Sequence, residues 1–202
     1  MIGQDLDTPV LAWLGDDFTG AAALMEVLAF AGLPTTLFLQ VPDAARLAQF
    51  PGLRGIGIAS MARTRSPAWM DAELPALFDA LDATGAALVQ YKVCSTLDSA
   101  PHVGSIGRAM DIGQARFGGA VPVVVAAPQM RRYQAFGQLF AGTDAGVFRL
   151  DRHPVMARHP VTPMDEADVA RHLAAQTEMP LHCLDLEGLQ ALPMRRWSRG
   201  RA

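Results

Sequence analysis

Short runs that are hydrophobic throughout, rather than alternating with polar residues, recur along this chain and are separated by longer stretches of helical period. The runs fall at 10–14, 35–39, 55–59, 86–91 and 121–126. Between them the spacing predicts helices over 19–31, 67–84 and 102–117, with a shorter one at 43–48. Strands apolar along their whole length are buried on both faces, and strand–helix alternation joins parallel neighbours by right-handed crossovers. The pattern therefore predicts an α/β fold: an open, mostly parallel sheet with helices on both faces, three layers deep. Past Ala127 the alternation loosens into a Pro- and Arg-containing stretch, then resumes with a predicted helix at 165–176 and a last strand at 181–185.

A chain of 202 residues, half of them hydrophobic, can bury one substantial core or two small ones, and the reading here is one domain. Within 21–31 the only charge is Glu26. A helix apolar all round is covered on both sides or simply tolerates an alanine-rich surface. Acids at Asp5 and Asp7 stand where a signal peptide carries bases, and no apolar run reaches membrane-spanning length, which predicts a cytoplasmic protein with no membrane partner. A net charge of −3 argues against nucleic acid. Cys94 and Cys183 lack disulfide or zinc spacing and read as reduced thiols.

Open parallel sheets bind ligands beyond the carboxyl ends of their strands. After the first run comes Gly15-Asp16-Asp17-Phe18-Thr19-Gly20; after the third, Met61-Ala62-Arg63-Thr64-Arg65-Ser66; after the fourth, Lys92-Val93-Cys94-Ser95-Thr96-Leu97-Asp98-Ser99; after the fifth, Pro128-Gln129-Met130-Arg131-Arg132-Tyr133. Four polar loops with charges of both signs, converging on one edge, suit a small, anionic, hydroxylated ligand.

Asp16 and Asp17 could act as a general base or help hold a metal, because adjacent carboxylates push their proton affinities apart. Asp17 or Thr19 could instead cap the first helix. Arg63 and Arg65 lie two apart, so an extended backbone would present both to one face, where a guanidinium can grip a carboxylate through two parallel hydrogen bonds; a solvated loop is the other reading. Lys92 is the single lysine beside sixteen arginines, and it sits among the hydroxyls of Ser95, Thr96 and Ser99. His153 and His159 each precede a proline and are six apart, a spacing that favours a loop packing or contacting substrate over a zinc site. No GxxxxGK[ST] loop or GxGxxG turn offers a cradle for ATP.

Gly15 to Ala21, Tyr91 to Ser99 with Val103 to Gly107, and Leu150 to Glu166 together resemble the N-terminal domain of the four-carbon acid sugar kinases, in order and over most of the chain. The resemblance implies phosphorylation of threonate-, erythronate- or 2-oxo-tetronate-like acids by ATP with Mg2+. It also implies two α/β domains, the acid held mainly by the first and ATP by a glycine-rich second one. On this reading 1–190 is the acid-sugar-binding domain, 191–202 is an arginine-rich tail outside the family pattern, and the nucleotide-binding domain is not in this chain. Asp16 and Asp17 become the catalytic candidates. Arg63, Arg65, Lys92, Ser95, Asp98, Arg152 and His153 become substrate-binding candidates. The expected partners are a small anionic sugar acid and either a second copy or a separate C-terminal domain chain. A non-catalytic acid-binding module or inactive remnant is the alternative, and an aspartate-based phosphatase ranks last because Phe18 follows Asp17.

Overall fold

In the computed structural model the described residues run from 8 to 191. Four strands, β1 (Leu11–Gly15), β2 (Thr35–Phe38), β3 (Gly55–Ala59) and β4 (Leu88–Lys92), form one wholly parallel sheet in the order β2-β3-β1-β4. The crossovers carry α1 (Phe18–Phe30), the short α2 (Ala44–Leu47) and α3 (Pro67–Asp82), and α4 (Ile106–Phe117) follows β4.

Period-two alternation divides the central strand between two faces. Trp13 points toward α1, its Nε1 donating to the Ala21 carbonyl at 3.3 Å. Gly57 lies flat under that indole, where a Cβ would come within 2.2 Å of the ring. Ala12 and Leu14 point the other way and pack with Ile58 against Met70, Leu74, Phe78 and Leu81 of α3. The sheet is thus covered on both faces, as expected from its continuous apolar strands. Pro67 opens α3 and Ser66 caps it, accepting from Trp69 N at 3.4 Å; Ser105 caps α4 in the same way, accepting from Arg108 N at 3.1 Å. The outer face of α1 remains open, with Phe30 85% and Val27 58% exposed.

The second half departs from the expected pattern. Residues 121–126 form no strand: Pro122 has no N–H for a sheet ladder, and Val125 N donates to Gln134 Oε1 at 3.0 Å. Instead an antiparallel sheet, β5 (Arg132–Ala135), β6 (Gln138–Thr143) and β7 (Gly146–Arg149), occupies the stretch read as irregular. Its first turn, Phe136-Gly137, has positive φ at both residues (48° and 76°), the geometry that suits a right-handed two-residue hairpin. The expected strand at 181–185 is also without regular structure; its helix partner is shorter than expected, α5 (Val169–Ala174), and α6 (Leu186–Ala191) closes the described chain. The tail from 192 onward lies outside the described residues.

Leu139 and Ala141 of β6 build a second apolar cluster with Leu97, Leu150, Met156, Met164 and Leu173. Helix α4 serves both clusters, giving Ala109 to the first and Ile106 and Met110 to the second. No helix among the described residues is long and apolar enough to cross a membrane.

Candidate functional site

Parallel register brings three of the four loops to one place. Gly15 at the end of β1 pairs with Ala59 of β3 and with Lys92 of β4, so all three strands finish together. The loops are then laced by backbone bonds: Asp16 N to Lys92 O at 3.0 Å, Ser60 N to Gly15 O at 2.9 Å and Arg63 N to Asp16 O at 3.0 Å. Ser60 adds its hydroxyl, donating to Gly15 O at 2.7 Å.

Arg63 sits at the centre. Its Nε donates to Asp16 Oδ2 at 3.0 Å and its Nη2 to Asp16 Oδ1 at 2.7 Å, while Nη1 donates to Asp17 Oδ2 at 2.6 Å. The guanidinium expected to clamp a ligand carboxylate therefore grips the protein's own, which corrects that expectation for Arg63. Asp16 is 3% exposed. Burial pushes its carboxyl up to about 6, even though Arg63 pulls the other way; Asp17 and Asp98 add to the rise. Burial works against the charge on the Arg63 guanidinium, but Asp16 outweighs it and raises its pKa.

Asp17 has two tasks. Its Oδ1 caps α1 by accepting from Gly20 N at 2.7 Å, and its Oδ2 meets Arg63. More than a quarter of the side chain is still exposed, at 27%, so this carboxylate can also accept from an incoming hydroxyl. The Lys92 ammonium donates to Val93 O at 2.6 Å and stands close by, 3.5 Å from where a Cβ on Gly20 would lie.

The loop after β4 is wound tightly. Thr96 Oγ1 donates to the buried Asp98 carboxylate at 2.8 Å and lies 2.9 Å from Cys94 Sγ, whose thiol pKa is raised by burial and by Asp98. Leu97 is held left-handed at φ 54°, and Ser99 Oγ donates to its carbonyl at 3.0 Å. Ser95 is half-buried on the same loop. Further on, Gly104 sits at φ 60°, and a Cβ there would meet the Arg63 carbonyl oxygen at 2.4 Å, so both the conformation and the close approach call for glycine.

Arg65 pairs with neither Asp16 nor Asp17; its Nη2 lies 3.8 Å from Met61 Sδ. Its guanidinium stacks 5.8 Å from the Trp69 ring, and its Nε is buried with no acceptor among the described residues. Arg152 and His153 stand apart, on a 3-10 turn after β7. Arg152 is exposed, whereas His153 is buried against Phe148. Residues that sequence reasoning passed over are Ser60, whose signal is a polar residue directly after a buried strand, and His172, which reaches Ser99 Oγ at 2.8 Å from a helix 73 residues away. No short motif announces the latter contact. Among the described residues no group of three or more His, Cys, Asp or Glu could hold a metal ion.

The family described as sugar-binding N-terminal domain matches residues 11–199. The 3-oxo-isoapionate kinase of Paraburkholderia graminis is 54% identical over 178 residues, which cover 88% of this chain and 38% of that protein. The 3-oxo-tetronate kinase of Methylobacterium radiotolerans is 35% identical over 176 residues, 87% of this chain and 40% of that one. A solved structure from Salmonella typhimurium LT2 aligns with a TM-score of 0.72 at 26% identity, covering 83% of this chain and 39% of that chain. The chain thus spans about two fifths of the length of these relatives.

Proposed function

From membership of the sugar-binding N-terminal domain family, to which this chain belongs, we propose that it forms the acid-binding lobe of a cytoplasmic kinase acting on four-carbon sugar acids or their oxo derivatives. The observation that carries this reading is the Asp16–Arg63–Asp17 cluster at the shared end of β1, β3 and β4, with Lys92 beside it.

Asp16 is too buried to meet substrate, and its role is to hold Arg63 so that Arg63 fixes Asp17. Asp17 accepts the hydrogen bond of the substrate hydroxyl and aims its oxygen. Phosphoryl transfer asks the protein mainly for positioning and charge compensation, so an orienting carboxylate and the Lys92 ammonium beside it are sufficient tasks for this edge. Arg65, whose guanidinium edge lacks a carboxylate, takes the acid group of the ligand. When bound, ATP with Mg2+ supplies the phosphoryl group. We assign the donor site to the portion of the relatives that this chain does not cover. A second copy or a further domain covering Phe18, Val27 and Phe30 on α1 is the partner this reading implies, and sedimentation velocity would detect self-association.

Calorimetric titration of the full chain with threonate, threonamide and erythritol tests the reading. Threonate should bind, the neutral ligands should not, and Arg65→Lys should weaken threonate by about ten-fold through loss of the two-pronged grip. Equal affinity for acid and amide would overturn it.

A further inference from the structure

Three arginines in this chain can be compared by the edge that carries Nε and Nη2, the edge that meets both oxygens of a carboxylate at once. Arg63 fills it with Asp16. Arg149 fills it with Asp151, Nε to Oδ1 at 2.7 Å and Nη2 to Oδ2 at 2.5 Å. In Arg132 that edge is open. Its Nη1 donates to the carbonyl oxygens of Met130 at 3.0 Å, Arg131 at 3.3 Å and Gly142 at 3.4 Å, but its Nε is buried with no acceptor, and no carboxylate among the described residues pairs with it.

The surroundings of Arg132 point the same way. Arg132 pairs with Ala141, and Ala141 pairs with Phe148, so the three form one row across the antiparallel sheet and share a face. Ala141 is wholly buried and short. The ring of His153 stands edge-on to Phe148 at 6.3 Å and is 6% exposed. His153 Nδ1 accepts from Val155 N and Met156 N, both at 3.2 Å, so the ring proton of the neutral form must sit on Nε2. That Nε2–H has no acceptor among the described residues. Burial lowers the pKa of His153 and nearby Arg132 lowers it further, which favours the neutral ring. The other charges close by are occupied or turned out: Asp151 is held by Arg149, Arg131 donates to Thr143 O at 2.7 Å, and Arg152 is exposed.

Buried donors without acceptors are costly and rare, and a cation without a counter-charge more so. We propose that Arg132 and His153 form an oxyanion site on the inner face of the antiparallel sheet, taking a carboxylate or a phosphoryl group from a ligand. Arg132 supplies the two-pronged edge and His153 a third, fixed donor. This site shares no residue with the Asp16–Arg63 cluster and stands whether or not the kinase reading does.

The test is calorimetric titration of the full chain with inorganic phosphate and, separately, with threonate, on the natural chain and on Arg132→Lys and His153→Asn. Asparagine keeps an acceptor where Nδ1 receives the turn amides and removes the Nε2–H. Both variants should lose about ten-fold in affinity for phosphate, for threonate or for both, the scale expected when one charge-assisted hydrogen bond is lost. Their unliganded melting temperatures should stay within about 2 °C of the natural chain. A loss confined to phosphate assigns a phosphoryl group, and one confined to threonate assigns a carboxylate. If Arg132→Lys lowers the melting temperature, His153→Asn decides alone. Absence of binding of either anion at millimolar concentration, or unchanged affinity in the variants, would overturn the proposal.

Discussion

The parallel sheet and the antiparallel sheet each present a partly buried arginine, and they treat its charge in opposite ways. At the edge of the parallel sheet, Arg63 is saturated by Asp16 and Asp17, and the result is a rigid hub. On the antiparallel sheet, Arg132 pairs with no carboxylate among the described residues, and its Nε is buried without an acceptor. A closed fork holds the fold, whereas an open one has capacity left for a ligand. Arginines of similar appearance in sequence therefore differ in kind, and the difference lies in which carboxylate the topology brings to each.

The sharpest way to break this contrast is to remove both guanidiniums. Arg63→Met strands the Asp16 carboxylate, 3% exposed, in an apolar site and should cost about 3–5 kcal/mol in urea unfolding. Arg132→Met strands no charge and should change stability by less than about 1 kcal/mol. Equal losses would mean that Arg132 has a structural partner after all.

Glycine replacements probe the same contrast through the backbone. At Gly104 a methyl group would meet the Arg63 carbonyl oxygen at 2.4 Å, in a conformation of φ 60°. Neither the main chain of Arg63 nor the left-handed geometry can give, so Gly104→Ala should cost about 2–4 kcal/mol and weaken threonate binding with it. At Gly142 the obstruction is the Arg131 side chain, 2.7 Å away at both Cβ and Nε. A side chain can move, and Gly142→Ala should cost about 1 kcal/mol. A reversed order in thermal melts would show that the hub is the softer region.

Opposite slopes with pH should follow from the two sites. The Asp16 carboxyl is raised from 3.8 to about 6 on folding, so its contribution to stability is full below about pH 4 and is lost as pH rises through 6, on the order of 2–3 kcal/mol. His153 and His172 are depressed by burial, so their contribution is present above the ordinary histidine value and is lost as pH falls below it. Carboxyl NMR should find the Asp16 midpoint near 6, and higher still in Arg63→Met. A midpoint at or below 3.8 would show that the Arg63 fork outweighs burial.

The parallel half was readable because burial on both faces leaves a plain mark, unbroken apolar runs, and because parallel register puts every loop that follows a strand at one edge. Asp16, Asp17, Arg63 and Lys92 meet for that reason alone. The side-chain directions were beyond reach: nothing in the spacing of Arg63 and Arg65 tells which faces Asp16 and which faces Trp69. In the second half, 121–126 has the composition of a strand, but Pro122 and the side chain of Gln134 take it out of the sheet. The hairpin at Phe136-Gly137 lacks an asparagine or aspartate at its first central position, so the turn carried a weaker signal than its geometry deserves. Arg132 and His153 are twenty-one residues apart, joined only through the row Arg132, Ala141, Phe148.

The smallest effect concerns Arg131, which precedes Arg132 and is held left-handed at φ 56°. For a residue with a side chain that conformation costs about 1–2 kcal/mol, and glycine relieves it. Two losses oppose the gain. Glycine adds about 0.4–1 kcal/mol of unfolded-chain entropy, and the exposed bond from Arg131 Nη1 to Thr143 O, worth about 0.5–1.5 kcal/mol, disappears. The terms nearly cancel, so Arg131→Gly should shift stability by less than about 1 kcal/mol in either direction. Phosphate affinity should be retained, because Arg131 turns its guanidinium toward Thr143 and away from His153. Were calorimetry to show that Arg131→Gly loses as much affinity as Arg132→Lys, the anion would be held by a diffuse basic surface instead of a site built on one open fork, and the contrast between the two sheets would lose its second half.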